Sequence, residues 1–377
     1  MPEPADARGG GASPPAPTAV HLAAVPAGAA PAAVMAAVAA AALAAGGLAW
    51  LRPGDSVFIK LAANSPAPYP ATTAPLALEA MARLLKDHGA GRVAAGDKPG
   101  VVHVHQDRRR HRGRGLEVMA ANGLAEAARR GGAELHAFDQ AGFDAYFAED
   151  PPAGGHWRGH LMLPDILREV DHVVLLPRVG RHVLAGSSLG LKLAVGWLRD
   201  DSRLELHRDA ASFLEKIAEI SFVPSLAGRV RLTLSLADLV LTTFGPDQGH
   251  VARPDPGLVI ASSDLLAHDM AALAWLDWCR AHATPAGRRG RSQDPYRLWP
   301  GLFNRLFVGR IWGLAALRGA QSYRGAELVS PAADRVQARA AGLRGGWPRV
   351  DLKSAGAAPP AAVREHIARF CAPPVGG

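Results

Sequence analysis

The chain has 377 residues, of which 49% are hydrophobic, and its formal net charge is +8. This length and composition allow one large α/β domain, or one domain with an appendage. The basic residues are mostly arginines spread along the chain, without a basic stripe interleaved with aromatics before residue 290, so nucleic-acid binding is not expected. The two cysteines, Cys279 and Cys371, lie far apart, which argues against disulfides and iron–sulfur clusters and favours the reducing cytoplasm.

The N-terminal region contains two segments of biased composition. Residues 1–17 are rich in proline, glycine and alanine, which predicts a disordered start. Residues 29–49 have the length and apolar character of a membrane span or signal peptide. However, this segment begins near Pro31 and ends near Gly46, which are helix start and stop signals, and no basic region precedes it. We therefore expect a surface helix and no transmembrane segment.

Strands and helices alternate along residues 18–282. The predicted strands are 19–25, 55–60, 92–96, 133–138, 171–176, 230–241 and 257–261. The predicted helices are 29–49, 75–88, 116–130, 189–198, 210–220 and 264–279. This alternation predicts an α/β fold, with a mainly parallel sheet and helices on both faces. In such sheets ligands bind beyond the carboxyl ends of the strands.

Two predicted strand ends carry polar side chains early in the chain. Lys60 and Asn64 follow the second predicted strand, and Asp97 and Lys98 follow the third. Because the chain uses few lysines, a lysine at a strand end indicates a place that needs a compact ammonium group. We interpret Lys60, Asn64 and Lys98 as substrate-binding residues. Asp97 could be a metal ligand, a base or only a turn residue.

The strongest cluster of polar groups follows the buried strand at residues 171–176. It contains two guanidinium groups, an imidazole, two hydroxyls and an ammonium group. Its members are Arg178, Arg181, His182, Ser187, Ser188 and Lys192. The Gly/Ser turn at residues 186–190 opens a predicted helix, whose free N–H groups and dipole would face a ligand. The cluster therefore predicts a site for a small anion.

The same turn also matches two other patterns, and neither is favoured. Gly-x-Ser-x-Gly fits the nucleophile elbow of hydrolases, with Ser188 as the nucleophile. An elbow needs the strand to run directly into the serine, whereas roughly ten residues intervene here. The turn also lacks the lysine of a phosphate-binding Walker A loop.

Two further side chains complete the predicted site. His207 lies in the segment after the cluster, and Asp247 lies in the Gly/Pro turn that follows the next predicted strand. His182, His207 and Asp97 are candidate acid/base residues, since imidazole titrates near neutral pH. Asp97 and Asp247 are candidate ligands of a divalent metal, or residues that orient a histidine.

The sequence changes in character at residue 283. Residues 287–291 resemble a linker, and residues 296–323 mix aromatic residues with arginines. We predict an amphipathic helical appendage over 283–377 that docks on the α/β domain at 18–282 or on a partner, with a last helix at 360–370. Docking is favoured over membrane-surface binding. Residues 296–323 would then be the candidate interface for a second copy or another protein.

Several stretches occur together in a familiar order. They are residues 57–60 with Asn64, 72–73, 96–100, 176–182, 186–192, 245–249 and 263–269. As a set they resemble the domain of unknown function 362 family, over about residues 20–279. The resemblance implies a cytosolic α/β protein of unassigned activity. Many relatives append ferredoxin-like clusters, whose cysteines this chain lacks, so it implies no iron–sulfur cluster here.

Three hypotheses about function follow. The first is an enzyme that acts on a small carboxylated or phosphorylated metabolite held by the predicted cationic site. The second is a metal-dependent hydrolase or metal-handling protein that uses Asp97, His182, His207 and Asp247. The third is a non-catalytic binding or assembly partner that interacts through the C-terminal appendage.

Overall fold

A computed structural model describes residues 16–282, 300–320 and 328–372 of the protein. The predicted disordered start lies almost entirely outside these residues. The predicted linker at 287–291 lies outside them, as do 296–299 and 321–323 of the predicted interface segment.

The strands of the described residues range from two to eight residues in length. They are β1 (Thr18–Val25), β2 (Ser56–Leu61), β3 (Arg92–Asp97), β4 (His105–Gln106), β5 (His111–Arg112), β6 (Glu134–Ala137), β7 (Tyr146–Glu149), β8 (Leu161–Pro164), β9 (His172–Leu176), β10 (Gly180–His182), β11 (Gly186–Ser188), β12 (Val230–Ala237), β13 (Val240–Leu241), β14 (Val251–Ala252), β15 (Gly257–Ser262) and β16 (Val350–Ser354).

The α-helices are distributed between and after these strands. They are α1 (Pro31–Ala44), α2 (Pro75–Asp87), α3 (Gly115–Ala121), α4 (Leu124–Gly131), α5 (Ile166–Glu169), α6 (Gly190–Leu193), α7 (Asp200–Arg208), α8 (Phe213–Ile220), α9 (Pro224–Ala227), α10 (Leu265–His282), α11 (Pro300–Trp312), α12 (Arg335–Arg344) and α13 (Ala361–Phe370). Short 3₁₀ turns follow α6 at Ala194–Trp197 and α11 at Leu314–Gly319.

The main sheet has eight strands in the order β16-β1-β15-β12-β9-β2-β3-β6. All neighbouring pairs are parallel except those of β15, which runs antiparallel to both β1 and β12. The predicted mainly parallel α/β sheet is therefore confirmed. A smaller sheet has the order β11-β10-β13-β14 and lies beyond the end of β9.

The apolar residues of the central strands alternate between two cores. In β2, Val57 and Ile59 belong to a core that also contains residues of α1, α2 and α4, whereas Phe58 belongs to a core with residues of α8 and α10. Because successive side chains of a strand point to opposite faces, each core lies on one face of the sheet. Helices on both faces are thus confirmed. No helix of the described residues is long and apolar enough to cross a bilayer.

The C-terminal segment contributes to the same sheet. β16 pairs in parallel with β1, placing Val350 opposite Thr18. Helix α12 packs against α8, and α13 packs against α10. A strand from beyond the predicted boundary at residue 283 therefore belongs to the main sheet, and the described residues of that segment also include the helices α11, α12 and α13.

Two predicted helices are interrupted by glycines. The helix expected at 116–130 is divided into α3 and α4 at Gly123, which has a φ of +84° in the left-handed region that favours glycine. The helix expected at 189–198 consists of α6 and a 3₁₀ turn that contains Gly196. The hairpin of β10 and β11 occupies residues for which no strands were predicted.

Asp334 joins helix α12 to the β10–β11 hairpin. Its Oδ1 accepts from the backbone N–H groups of Val336 (2.9 Å) and Gln337 (3.4 Å), and Ser187 Oγ donates to its Oδ2 (3.3 Å). Burial raises the pKa of Asp334 to about 6, and the charge of Asp269 adds to this effect. Above that pH the carboxylate is therefore ionised at a cost to the folded state.

The Asp334→Asn variant should be more stable than the wild type near neutral pH. Asparagine keeps the cap through its side-chain oxygen, and the buried charge is removed. The pKa of Asp334 is higher in the folded state than in the unfolded state. The loss of folding free energy caused by ionising Asp334 is therefore absent at low pH and grows as pH rises towards 6. We expect a gain of about 1–3 kcal/mol in urea unfolding at pH 7.5, and a much smaller gain at pH 4.5. A loss of stability at both pH values would contradict this account.

Candidate functional site

Strands β2, β3 and β9 are parallel, so their carboxyl ends share one edge of the sheet, where a cavity of about 330 Å³ opens. Most of the predicted site residues line this cavity. They are Asn64, Asp97, Lys98, Arg178, His182, Ser188, Lys192, His207 and Asp247. Residues from segments far apart in the sequence therefore meet at one place.

Three predicted residues do not line the cavity. Lys60 lies behind its wall, where Nζ donates to Asp97 Oδ1 (2.5 Å) and to Leu61 O (2.8 Å). Arg181 and Ser187 are opposite each other in the β10–β11 ladder. Because neighbouring residues of a strand face opposite sides, they point away from His182 and Ser188, which line the cavity.

Two of the three lysines at this edge have a carboxylate partner. Lys60 pairs with Asp97, and Lys98 pairs with Asp200. Burial nevertheless lowers the pKa of both amines, that of Lys98 to about 8 with a contribution from Arg203. The positive charge of each of these lysines is thus offset by its carboxylate.

Lys192 differs from these two lysines. Among residues 16–282, 300–320 and 328–372, it has no hydrogen-bond or ion-pair partner. Burial lowers its pKa to about 7, and the positive charges of Arg178 and Arg203 act in the same direction. The cavity therefore contains an amine that is held as a cation only weakly at neutral pH.

Arg178 is the second cation without close compensation. Its side chain is buried, Nη1 lies 3.5 Å from Pro70 O, and its buried Nε has no hydrogen-bond partner in the described part of the chain. Burial lowers its pKa to about 10, and Asp247 partly offsets this effect. Asp247 also accepts from Asn64 Nδ2 (2.5 Å). Arg178 thus retains an unused donor in a buried position.

The two histidines of the cavity have opposite hydrogen-bonding capacities. His182 Nδ1 accepts from the N–H groups of Leu184 (3.2 Å) and Ala185 (3.1 Å), so its proton is on Nε2. His207 Nδ1 lies 2.8 Å from Arg203 O and therefore donates, which leaves a lone pair on Nε2.

Both imidazoles are neutral at physiological pH. Burial, followed by Lys192, holds the pKa of His182 well below its usual value. Burial lowers the pKa of His207 to about 4. His182 is therefore a neutral donor, and His207 is a neutral acceptor.

Arg203 is a cavity residue that sequence analysis did not select. It donates to the carbonyl groups of Pro99 (2.6 Å), Lys98 (2.8 Å) and Leu198 (3.0 Å). These bonds fasten the turn after β3 to the 3₁₀ turn after α6. Partners that are backbone carbonyls leave no pattern in the sequence, so no signal for this role was available.

Gly196 is a second residue that was missed. A Cβ atom at this position would overlap both Asp97 Oδ1 and Lys60 Nζ. The close approach of the 3₁₀ turn to this ion pair therefore requires glycine. A glycine inside a predicted helix was the available signal.

The start of α6 is already occupied by a carboxylate from within the protein. Asp269 accepts from the N–H groups of Gly190 (2.8 Å) and Leu191 (2.7 Å). The expectation that free N–H groups at this helix start face a ligand is therefore wrong for these two amides. Helix α6 instead presents the side chains of Lys192 and Leu193 to the cavity.

A buried chain of hydrogen bonds links this carboxylate to the end of β9. His268 Nδ1 lies 2.9 Å from Asp269 Oδ1, and His268 Nε2 lies 3.1 Å from Ser235 Oγ, which donates to Pro177 O (3.0 Å). Pro177 precedes Arg178. This series of hydrogen bonds therefore positions the backbone next to Lys192 and next to Arg178.

The segment after β15 begins at the opposite edge of the sheet, because β15 is antiparallel to its neighbours. Asp264 accepts from the N–H of Ala267 (2.8 Å) and so begins α10 as an N-cap.

Helix α11 forms an apolar wall of the cavity. Phe303 contacts the ring of Phe244 with centroids 5.3 Å apart, and Phe307 contacts His207 at 4.7 Å. Asn304 Nδ2 donates to His207 O (2.9 Å). This part of the predicted appendage therefore docks on the α/β domain and closes one side of the cavity.

The candidate metal ligands do not form a cluster. In the described ranges, no three histidine, cysteine, aspartate or glutamate residues are arranged to hold a metal ion. Asp97 accepts from Lys60 and from the N–H of Ala63 (2.7 Å). Cys279 and Cys371 are both buried, and burial raises the pKa of each thiol.

Comparisons with known proteins identify a family but assign no reaction. The model of a family described as a domain of unknown function, DUF362, matches residues 57–274. No curated protein matches the chain. The chain is similar to a solved structural-genomics target from Thermotoga maritima, with 14% identity, a TM-score of 0.40, and coverage of 61% of this chain and 54% of that one. It thus spans about half the length of that protein.

Proposed function

The chain belongs to the DUF362 family, to which no activity is assigned, and from the geometry of its site we propose that it is an enzyme acting on a small anionic metabolite. The substrate would bind in the cavity at the carboxyl edge of the sheet. The observation that carries this proposal is the presence of Lys192 beside Arg178, with no carboxylate of the described residues bound to either.

An anion would compensate these two cations. Burying an uncompensated charge is unfavourable, and charge-assisted hydrogen bonds to a bound anion offset part of that cost. The Nε2–H of His182 and the hydroxyl of Ser188 add neutral donors in the same cavity. This donor set suits a carboxylate or a phosphate group.

The remaining walls indicate that the ligand also has an apolar part. Phe244, Phe303, Phe307 and Leu193 also line the cavity. Apolar walls with a few convergent polar groups are typical of small-molecule sites. A ligand with an anionic head and an apolar body would match both kinds of lining.

His207 is the proposed acid/base residue of the reaction. It is neutral at pH 7, and its Nε2 can accept a proton from a bound substrate. His182 is proposed to donate a hydrogen bond to a substrate oxygen. Asp97 is proposed to orient the site, because both of its carboxylate oxygens already accept hydrogen bonds.

Anion binding should be selective and should depend on Arg178. We expect 4-methylpentanoate and phenyl phosphate to raise the melting temperature, and the neutral analogue 4-methylpentanol to leave it unchanged. The Arg178→Met variant should bind at least about tenfold more weakly in calorimetry, since a charge-assisted hydrogen bond contributes about 1.5–3 kcal/mol. Lys86→Met, which changes an exposed lysine on α2, is the matched control.

Two outcomes would contradict the proposal. One is equal binding of the alcohol and the carboxylate, and the other is unchanged affinity in Arg178→Met. Binding should also take up protons at pH 8, because an anion raises the pKa of Lys192 from about 7. Calorimetry in buffers of different ionisation enthalpy measures this uptake.

A second candidate function is assembly with another protein or a second copy. The α11 region exposes Leu302 (48%), Leu306 (61%) and Leu314 (81%). Several large exposed apolar side chains in one segment suit an interaction surface. The molar mass of the purified protein in solution, compared with that of Leu306→Lys, tests self-association.

The metal-dependent alternative has less support, and stoichiometric metal in the purified protein would restore it.

A further inference from the structure

Lys192 has the environment of an amine nucleophile rather than that of a permanent cation. The other two lysines at the edge each face a carboxylate, Asp97 or Asp200. Lys192 instead faces the cavity, among Arg178, His182 and the apolar walls, with no bonded partner in the described residues.

We propose that Lys192 condenses with the ketone group of a 2-oxo acid that carries an apolar side chain, forming an imine between Nζ and the substrate. This inference rests on the proposed function, because it requires the anion to bind in this cavity. It narrows the substrate class to carboxylates with an adjacent carbonyl group.

The electrostatic surroundings keep the amine reactive. Neighbouring positive charges and a low-dielectric cavity disfavour the ammonium form, and an unprotonated amine is the form that attacks carbonyl carbon. The lowering of its pKa to about 7 agrees with this reasoning. An arginine could not serve, since a guanidinium group remains charged in proteins.

The other groups of the cavity match the remaining parts of a 2-oxo acid. The guanidinium group of Arg178 lines the cavity and can bind the carboxylate. His182 can donate from Nε2 to the ketone oxygen, where negative charge develops during attack. The wall formed by Phe303 and Phe307 would contact the apolar side chain of the acid.

The proposed step balances without a cofactor or a redox change. Nζ of Lys192 attacks the carbonyl carbon, and His207 Nε2 carries one proton from that nitrogen to the carbonyl oxygen, which becomes a hydroxyl. His207 Nε2 then carries the second proton from the nitrogen to this hydroxyl, which leaves as water. A C=N bond has replaced the C=O bond, with one water molecule released.

Reductive trapping tests the inference on the intact wild-type chain. The protein is incubated with 4-methyl-2-oxopentanoate and cyanoborohydride, and its mass is measured before and after proteolysis. We expect one adduct that adds the mass of the acid less one oxygen atom, located on Lys192. Lys60 and Lys98, paired with carboxylates, are internal controls that should stay unmodified. Lys192→Arg keeps a cation and should give no adduct, and 4-methylpentanoate should give none with the wild type.

The outcomes separate this inference from the proposed function. If 4-methyl-2-oxopentanoate raises the melting temperature but no adduct forms at Lys192, the imine is overturned and the anion site remains. An adduct confined to exposed lysines such as Lys86 also overturns the imine. If neither the oxo acid nor the other anions bind, the proposed function fails as well. Because the adduct is mapped on the wild-type protein, this test does not depend on the folding of a variant.

Discussion

Replacing Lys192 with methionine should stabilise the ligand-free protein and abolish its binding of anions. Methionine fills similar space beside the apolar walls and removes a cation that has no bonded partner in the described residues. The pKa of about 7, against 10.5 for an ordinary lysine, measures how strongly the fold disfavours the charge. Allowing for partial exposure to the cavity, we expect a gain of about 2–4 kcal/mol at pH 6.5.

The gain should depend on pH in a defined direction. Below pH 7 Lys192 is charged in both the folded and the unfolded chain, so the full cost is present. Between pH 7 and 10.5 the unfolded chain binds more protons than the folded one, so wild-type stability rises with pH. The advantage of Lys192→Met over the wild type should therefore shrink as pH rises from 7 to 9.

Urea unfolding at pH 6.5 and 9 measures both effects. The lowered pKa values of Lys60 and Lys98 contribute equally to the pH dependence of stability in the wild type and in the variant. These contributions therefore cancel when the two free energies of unfolding are compared. Lys86→Met, at an exposed position, should change stability by less than about 0.5 kcal/mol. A destabilised Lys192→Met protein would show that Lys192 supports the fold and would remove the basis of the proposed site.

The largest loss of stability should come from Asp269→Asn. Oδ1 of Asp269 accepts from Gly190 N and His268 Nδ1, and Oδ2 accepts from Leu191 N. An asparagine amide group must place its own N–H donors either against Leu191 N, or against Gly190 N and His268 Nδ1. Breaking such a buried network costs about 3–5 kcal/mol.

Urea unfolding and anion affinity are the two measurements for this variant. Asp264→Asn is the matched control, because Asp264 caps the same helix and asparagine is an equally good N-cap, so its cost should stay below about 1 kcal/mol. If Asp269→Asn folds, its affinity for 4-methylpentanoate should fall, since α6 carries Lys192. If Asp269→Asn has the same free energy of unfolding as the wild type, the N–H groups of Gly190 and Leu191 have found another acceptor.

The sequence was sufficient for the main sheet and for much of the site. Apolar runs such as Val57–Ile59 alternate with helical patterns, and this alternation implies parallel strands whose polar followers share an edge. Lys60, Asp97 and Arg178 could be grouped for that reason. The reversed direction of β15 could not be predicted, because an apolar strand has the same composition in either direction.

Other features of the site depend on contacts that have no local pattern. Arg181 points away from His182 because residues 180–182 form a strand, and no strand was predicted there. Asp200, the first residue of α7, pairs with Lys98 in the turn after β3. Phe303 reaches the cavity from a segment that follows the α/β alternation. Such pairings arise only when the tertiary structure brings separate elements together.

The parallel pairing of β16 with β1 also affects how the protein folds. Thr18 of β1 lies opposite Val350 of β16. The outer side of β1 is therefore covered only after almost the whole chain has been synthesised. Until then its backbone N–H and C=O groups form an open edge, which is a template for pairing with another chain. We therefore expect truncation before residue 328 to cause aggregation during expression, even though the cavity residues up to Phe307 would all be present.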